Sequence, residues 1–171
     1  MYIREETSAD ADAIHILTQK AFAPMPYSSG NEGPIIDQLR RDGDLVLSLV
    51  MDDDGSIAGH VAFSKIKIDG KWDKWYCLGP ISVTPDKQSQ GIGKALVGEG
   101  MRRLRALGAN GCILIGNPAY YDRLGFKCNG QLRYGGLDAS LIQYMTFQGP
   151  APKGTLTHAD AFEQAFKEMS A

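Results

Sequence analysis

The residues with the clearest chemical potential lie at positions 88–94, Gln-Ser-Gln-Gly-Ile-Gly-Lys, between an apolar strand and a long helix. Glycines at such a junction let the backbone turn sharply and expose consecutive N–H groups, and the start of the helix adds a partial positive charge. Backbone N–H groups in this arrangement hold phosphate oxygens without a metal or an arginine. The segment therefore predicts a site for a phosphate-bearing ligand, although a glycine at a helix start also serves as a plain turn.

Two common nucleotide-binding loops do not fit this segment. A Walker A loop has a glycine six residues before its lysine and a hydroxyl residue directly after it, but Gln88 and Ala95 stand at these places relative to Lys94. A dinucleotide-binding loop needs a third glycine where the chain has Leu96. The pattern therefore does not indicate ATP or NAD as the ligand.

Apolar periodicity predicts a strand, two helices and three further strands ahead of this loop. The predicted strands cover residues 2–4, 45–50, 57–68 and 72–83. The first predicted helix ends at about Phe22, and the second spans residues 32–41. Asp-Gly turns separate the later strands, which favours an antiparallel meander. Pro80 indicates a bulge or an open edge, because proline cannot donate to the ladder.

Beyond the loop the apolar residues recur at helical spacing, and Gly108 marks the end of that helix. A buried strand follows at residues 112–115, and strand, helix and strand within about 40 residues predict a right-handed crossover between parallel strands. Asn117 and Pro118 predict the cap and first residue of a short helix, and residues 126–128 and 141–147 the last strands. The predicted fold class is α/β, with a mixed central sheet flanked by helices.

Two motifs in a fixed order now resemble the GNAT superfamily of acetyl-CoA-dependent N-acetyltransferases. They are Gln88-x-x-Gly91-x-Gly93 and, after a helix and a strand, Tyr121-x-x-x-Gly125-Phe126. Their roughly 30-residue spacing and the elements between them make the resemblance specific. Residues 78–83 and 116–121 look like a bacterial branch of predicted N-acetyltransferases. The resemblance covers about residues 2–147, so we expect a GNAT domain over residues 1–147 and a C-terminal loop and short helix packed on it over residues 148–171.

The resemblance implies where acetyl-CoA binds. The strands before and after the long helix would be parallel but splayed, with the pantetheine arm inserted between them and the pyrophosphate held by the loop. Gln88 stands where the family more often has arginine. The implied cofactor-binding residues are Ile81, Ser82, Val83, Gln88, Ser89, Gln90, Gly91, Ile92, Gly93, Lys94, Asn117 and Tyr121.

The resemblance also implies the catalytic chemistry. Tyr121 would give its proton to the CoA thiolate, and a backbone N–H near residues 81–83 would face the developing oxyanion. Tyr121 is alternatively an aromatic packed on the sheet, which is how we interpret Tyr120. For the base, Glu32 at the start of the second helix is the candidate, although an acid there also favours the helix dipole.

Other residues, or water, are also candidates for removing the proton from the acceptor amine. Tyr27 also suits the acceptor side, and His60 fits a hydrogen-bonded core histidine better than a base. A water relay, as is common in the superfamily, needs no dedicated base. Cys112 is disfavoured as a covalent acyl carrier, because it lies in an apolar strand with no neighbouring base in sequence.

Composition excludes several classes of protein. The 171 residues are 43% hydrophobic and 22% charged, which is typical of one globular domain. A net charge of −2 argues against a chain-wide nucleic-acid-binding surface, and no run approaches the ~20 apolar residues of a membrane span. Cys77, Cys112 and Cys128 are an odd number and show no CxxC spacing, which indicates buried free thiols in a reducing compartment. We expect a cytoplasmic protein with no metal, no membrane and no nucleic-acid partner.

The resulting functional hypothesis is direct transfer of an acetyl group from acetyl-CoA to a primary amine of a small molecule or a protein. The alternative is a non-catalytic GNAT-fold module that senses CoA or an acyl-CoA, or binds a partner. An exposed last strand is compatible with a homodimer. Phe162, Phe166 and Met169 share one face of a terminal helix, which fits packing on the domain, a dimer contact or a cover over the site.

Overall fold

Residues 1–170 are described by a computed structural model, with side chains through residue 168. They contain nine strands, which are β1 (Tyr2–Glu5), β2 (Leu45–Asp53), β3 (Ser56–Lys65), β4 (Lys67–Ile68), β5 (Trp75–Val83), β6 (Gly111–Ile115), β7 (Leu132–Arg133), β8 (Ile142–Thr146) and β9 (Gly154–Thr157). Six of them form the central sheet in the order β1-β2-β3-β5-β6-β8, in which only β5 and β6 are parallel neighbours. The predicted antiparallel meander and parallel crossover are both confirmed.

Five helices complete the described chain: α1 (Ala11–Phe22), α2 (Glu32–Asp42), α3 (Ile92–Ala106), α4 (Pro118–Tyr121) and α5 (Asp160–Ser170). Helix α3 packs its apolar stripe on one face of the sheet, where Leu96 and Leu104 are fully buried. On the other face, Ile14 of α1 and Ile36 of α2 meet Val50 of β2. Within residues 1–170 no helix is both long and apolar enough to cross a membrane.

The segment predicted as one strand over residues 57–68 is two strands in different sheets. Ile66 is the last residue of this segment that is bonded to the central sheet. Its N–H donates to the Trp75 carbonyl at 3.2 Å. The next residues form β4, which pairs with β9 in a small sheet of order β4-β9-β7. The prediction was wrong here because the partner strand, at Gly154–Thr157, is about ninety residues away in sequence and was itself predicted as loop.

Two other strand predictions also need correction or refinement. Residues 126–128 form no strand, and only Lys127 makes a single antiparallel bridge to Tyr144 at the outer edge of β8. Pro80 lies at a bulge inside a paired strand rather than at an open edge, since the β3–β5 register shifts between Val61 and Phe63, opposite the Gly79–Pro80 pair.

The terminal helix α5 packs on the domain beside α2. Ala161 and Ala165 are its buried residues, and Phe162 and Phe166 are partly buried beside them. Phe166 packs against a cluster of buried residues that includes Trp75 and Ile113. The side chain of Met169 lies outside the described part of the chain. The domain boundary at residue 147 and the homodimer stay predictions.

Candidate functional site

The glycine-rich segment forms the turn between β5 and α3. After a short 3₁₀ turn at residues 85–87, Ser89 and Gly91 adopt left-handed backbone conformations, with φ of +61° and +88°. Gly91 precedes the first helical residue, and the first intrahelical bond runs from the Ala95 N–H to the Gly91 carbonyl at 3.0 Å. The N–H groups of residues 92–94 therefore have no acceptor within the helix, and they form a suitable cradle for a phosphate.

Beside this turn, β5 and β6 run together only at their beginnings. Three residue pairs join them, the last being Cys77 with Ile113. Beyond that point β5 continues to pair with β3, and β6 with β8. The two parallel strands therefore separate and leave a wedge-shaped gap, between residues 78–83 and 114–115, that opens toward the turn.

The backbone groups that face this gap follow from the ladder between β3 and β5. The Thr84 N–H donates to the Ala58 carbonyl at 2.9 Å, and such bonds recur at every second residue of an antiparallel pair. Ser82 therefore points its N–H and carbonyl at β3, whereas Ile81 and Val83 point theirs at the gap. The backbone groups of Ser82 are therefore used in the sheet, and Ser82 as a cofactor-binding residue stays a prediction. The Val83 carbonyl accepts a hydrogen bond from Gln88 Nε2 at 3.1 Å.

Helix α4 carries Tyr121 at the far side of the gap. Asn117 caps this helix as predicted, its Oδ1 accepting the Ala119 N–H at 3.0 Å. The Tyr121 ring contacts Phe126 edge to face, with centroids 5.9 Å apart. Burial, and then the neighbouring Tyr120, raise the pKa of the Tyr121 phenol above its ordinary value. The hydroxyl therefore stays protonated at any physiological pH and can serve as a proton donor.

Tyr120 has a role that the sequence did not reveal. Its hydroxyl oxygen lies 2.7 Å from the place where a Cβ on Gly93 would stand, at the first turn of α3. Gly93 has no left-handed φ, so a side chain there would be limited by this hydroxyl and not by backbone strain. Tyr120 was interpreted as a packing residue, and no signal in the sequence beyond its place next to Tyr121 points to this contact.

The loop between α1 and α2 borders the same region. Tyr27 in this loop is 72% exposed and close enough to Tyr121 to contribute to the rise in its pKa. Glu32, the first residue of α2, holds the loop through Oε1, which accepts from Ser28 Oγ at 2.6 Å and the Ser29 N–H at 3.2 Å. Its other oxygen, Oε2, is buried and has no hydrogen-bond partner within residues 1–168. The carboxylate thus keeps an unused acceptor.

His60 is a core residue, as its strand position predicted. Its Nε2 lies 2.7 Å from Ser48 Oγ, which in turn donates to Glu6 Oε2 at 2.8 Å. Glu6 is paired with Arg40 at 2.9 Å. Burial lowers the pKa of His60 to about 4, so the imidazole is neutral at pH 7. The network links β2 and β3 to α2 and to Glu6, the residue after β1, and it has a structural explanation without catalysis.

The cysteines carry no sign of catalysis or metal binding. Cys77 and Cys112 are buried, which raises the pKa of both thiols, that of Cys77 to about 12, and Cys128 is exposed. A thiol whose pKa is raised in this way is a poor nucleophile. Within residues 1–168 no three His, Cys, Asp or Glu side chains are grouped to hold a metal ion.

Comparisons with known proteins agree with this geometry. Residues 45–128 match the model of the acetyltransferase (GNAT) domain family. The uncharacterized N-acetyltransferase YhbS of Escherichia coli strain K12 is 36% identical over 128 residues, which cover 74% of this chain and 74% of that protein. A GNAT family acetyltransferase from Brucella melitensis, solved in complex with acetyl-CoA, is 42% identical and superposes with a TM-score of 0.85 over 94% of this chain and 97% of that one. E. coli YhbS in complex with CoA gives a TM-score of 0.86 at 30% identity, over 95% of this chain and 91% of that one.

Proposed function

The chain belongs to the GNAT acetyltransferase family, and we propose that it transfers an acetyl group from acetyl-CoA directly to a primary amine of a small molecule or a protein. The observation that carries the proposal is the gap between β5 and β6, which opens beside the phosphate cradle of α3. Family membership makes the protein an acetyl-CoA-dependent acyltransferase and sets the chemistry. The direct route and the kind of amine are the proposal.

The residues around the gap fit acetyl-CoA. Its pyrophosphate suits the free N–H groups of residues 92–94 and the exposed turn at residues 88–91. Its pantetheine amides suit the backbone groups of Ile81 and the N–H of Val83, which have no partner in the sheet and can receive the arm as an added strand. Asn117 keeps its side-chain amide N–H groups for the same ligand, since only its Oδ1 is used in capping. Gln88 would exchange its bond to Val83 for one to the ligand.

Bound acetyl-CoA supplies an activated thioester whose acetyl group moves to the nitrogen of the acceptor. The chain contributes two hydrogen donors to that reaction, one for the thioester oxygen and one for the leaving sulfur. The N–H of Ile81 or Val83 faces the gap and can stabilise negative charge that develops on the thioester oxygen. Tyr121 is protonated at physiological pH and can give its proton to the departing thiolate.

The acceptor amine must also lose a proton, because an alkyl amine has a pKa of about 10.4 and is mostly charged at pH 7. Glu32 is our proposed base. Support for this role comes from its buried Oε2, which has no partner within residues 1–168, and from its place at the end of the loop that carries Tyr27. Ser28 and Ser29 fix the carboxylate through its other oxygen, so that the free oxygen has a defined direction.

We also propose that residues 1–147 form the catalytic domain and that residues 148–171 pack on it. Strand β9 pairs with β4 and β7, so this tail takes part in the small sheet. The cytoplasmic location stays a prediction.

The experiment is thiol release from acetyl-CoA across a panel of primary amines, with the acetylated product identified by mass spectrometry. The wild-type protein should release thiol with at least one amine, and Tyr121→Phe should lose most of that turnover. Tyr2→Phe, at an exposed position on β1, is the matched control and should behave as wild type. A protein that binds acetyl-CoA but acetylates no amine would favour the sensor alternative, and Tyr121→Phe turnover equal to wild type would refute the proton-donor role.

A further inference from the structure

The hydroxyl of Tyr120 lies beside the proposed phosphate cradle and is available to form a hydrogen bond with a ligand. It lies at the first turn of α3, where the N–H groups of residues 92–94 have no acceptor within the helix. Within residues 1–168 no side chain or backbone group forms a hydrogen bond with it. A phenol O–H is a donor as well as an acceptor, so it can join those N–H groups in binding one anion.

The surroundings hold the Tyr120 ring in this position. The ring packs edge to face on Tyr121, with centroids 4.9 Å apart and an interplanar angle of 88°. The Arg123 guanidinium lies 5.7 Å from the ring centroid on α4's side of the gap. These contacts with an aromatic ring and a cation restrict the ring before a ligand binds, so binding costs less rotational freedom.

Gly93 leaves room for this hydroxyl, because it has no Cβ. A Cβ at position 93 would stand 2.7 Å from the oxygen, closer than side chains tolerate. The backbone at Gly93 is helical, so a side chain would be acceptable there if Tyr120 were absent. The second glycine of the turn is thus matched to a tyrosine on a different element, across the gap.

We propose that Tyr120 is a further cofactor-binding residue, whose hydroxyl donates a hydrogen bond to the diphosphate of acetyl-CoA held at the first turn of α3. The proposal rests on the proposed function, since it requires acetyl-CoA in the gap. The two adjacent tyrosines then act on different parts of one ligand, with Tyr120 at the diphosphate and Tyr121 at the sulfur.

The test is calorimetric titration of wild type and Tyr120→Phe with CoA and with 3′-dephospho-CoA, which keeps the diphosphate and lacks the ribose phosphate. Loss of a hydrogen bond to a charged group should weaken binding about tenfold or more. We expect the same factor for both ligands. Tyr2→Phe removes an exposed hydroxyl on β1 and should bind as wild type does.

A second variant tests the same contact from the side of α3. Gly93→Ala should also weaken CoA binding, because its methyl group displaces the hydroxyl, and it should cost clearly less when added to Tyr120→Phe than when added to wild type. Equal affinity of wild type and Tyr120→Phe, a loss confined to CoA, or additive effects of the two substitutions would each overturn the proposal. If the wild-type protein bound neither ligand, the proposed function itself would fail instead.

Discussion

Gly91 offers the sharpest test of the proposed phosphate cradle, because a side chain there would have room but its backbone conformation is left-handed. Its φ is +88°, and a Cβ there would meet nothing within 4 Å. Alanine at this position therefore adds no clash, only the cost of a left-handed conformation, which is roughly 1–2 kcal/mol. Gly98 on the same helix has helical backbone and equally open space, so alanine there should stabilise the protein by about 0.5–1 kcal/mol.

The cost at Gly91 divides between two measurable quantities. If the turn keeps its shape in the free protein, Gly91→Ala lowers the free energy of unfolding by the full amount. If the turn relaxes, acetyl-CoA must restore it, and the dissociation constant rises by up to roughly 5- to 30-fold. Urea unfolding and calorimetric titration of Gly91→Ala and Gly98→Ala measure both quantities. The reasoning is refuted if Gly91→Ala changes neither quantity, or if Gly98→Ala weakens acetyl-CoA binding as much as Gly91→Ala does.

Three further predictions concern proton transfer and charge. Tyr121→Phe should reduce the kcat of thiol release more than it changes the dissociation constant of acetyl-CoA, because its hydroxyl acts on the leaving sulfur; an effect on binding alone would contradict this. Glu32→Gln keeps the acceptor for Ser28 but removes the carboxylate that would accept the proton, so the kcat of thiol release should fall, whereas unchanged kcat would reduce Glu32 to a loop anchor. Burial lowers the pKa of both His60 and His158 to about 4, from an ordinary value of 6.5, so the unfolded state binds more protons between these values. Each histidine should therefore cost about 2 kcal/mol of stability as pH falls from 7.5 to 5, and urea unfolding across this range should show a smaller loss in His60→Gln.

The local chemistry of the turn is what made much of the site predictable from sequence. Glycine spacing located the turn with its free N–H groups, and Asn117 and Pro118 located α4, because both features depend on neighbouring residues only. The order of strand, helix and strand was also enough to predict that β5 and β6 are parallel, since a crossover of this length has one favoured hand.

What sequence could not give depends on residues far apart in the chain. The break after Ile66 exists because β4 pairs with β9, a partner that no periodicity near residue 66 reveals. The orientation of the Ser82 backbone depends on which ladder bonds form with β3. The approach of Tyr120 to Gly93 likewise joins two elements across the gap.

The central claim is that acetyl-CoA lies in the gap between β5 and β6, and hydrogen exchange of single backbone amides tests it most directly. Acetyl-CoA should slow exchange at Ile81, Val83 and residues 92–94, whose N–H groups have no partner in the sheet or helix. Ser82, whose N–H already bonds to β3, should change little, and ATP should protect none of these amides. Protection confined to other parts of the chain, or equal protection by ATP, would contradict the account.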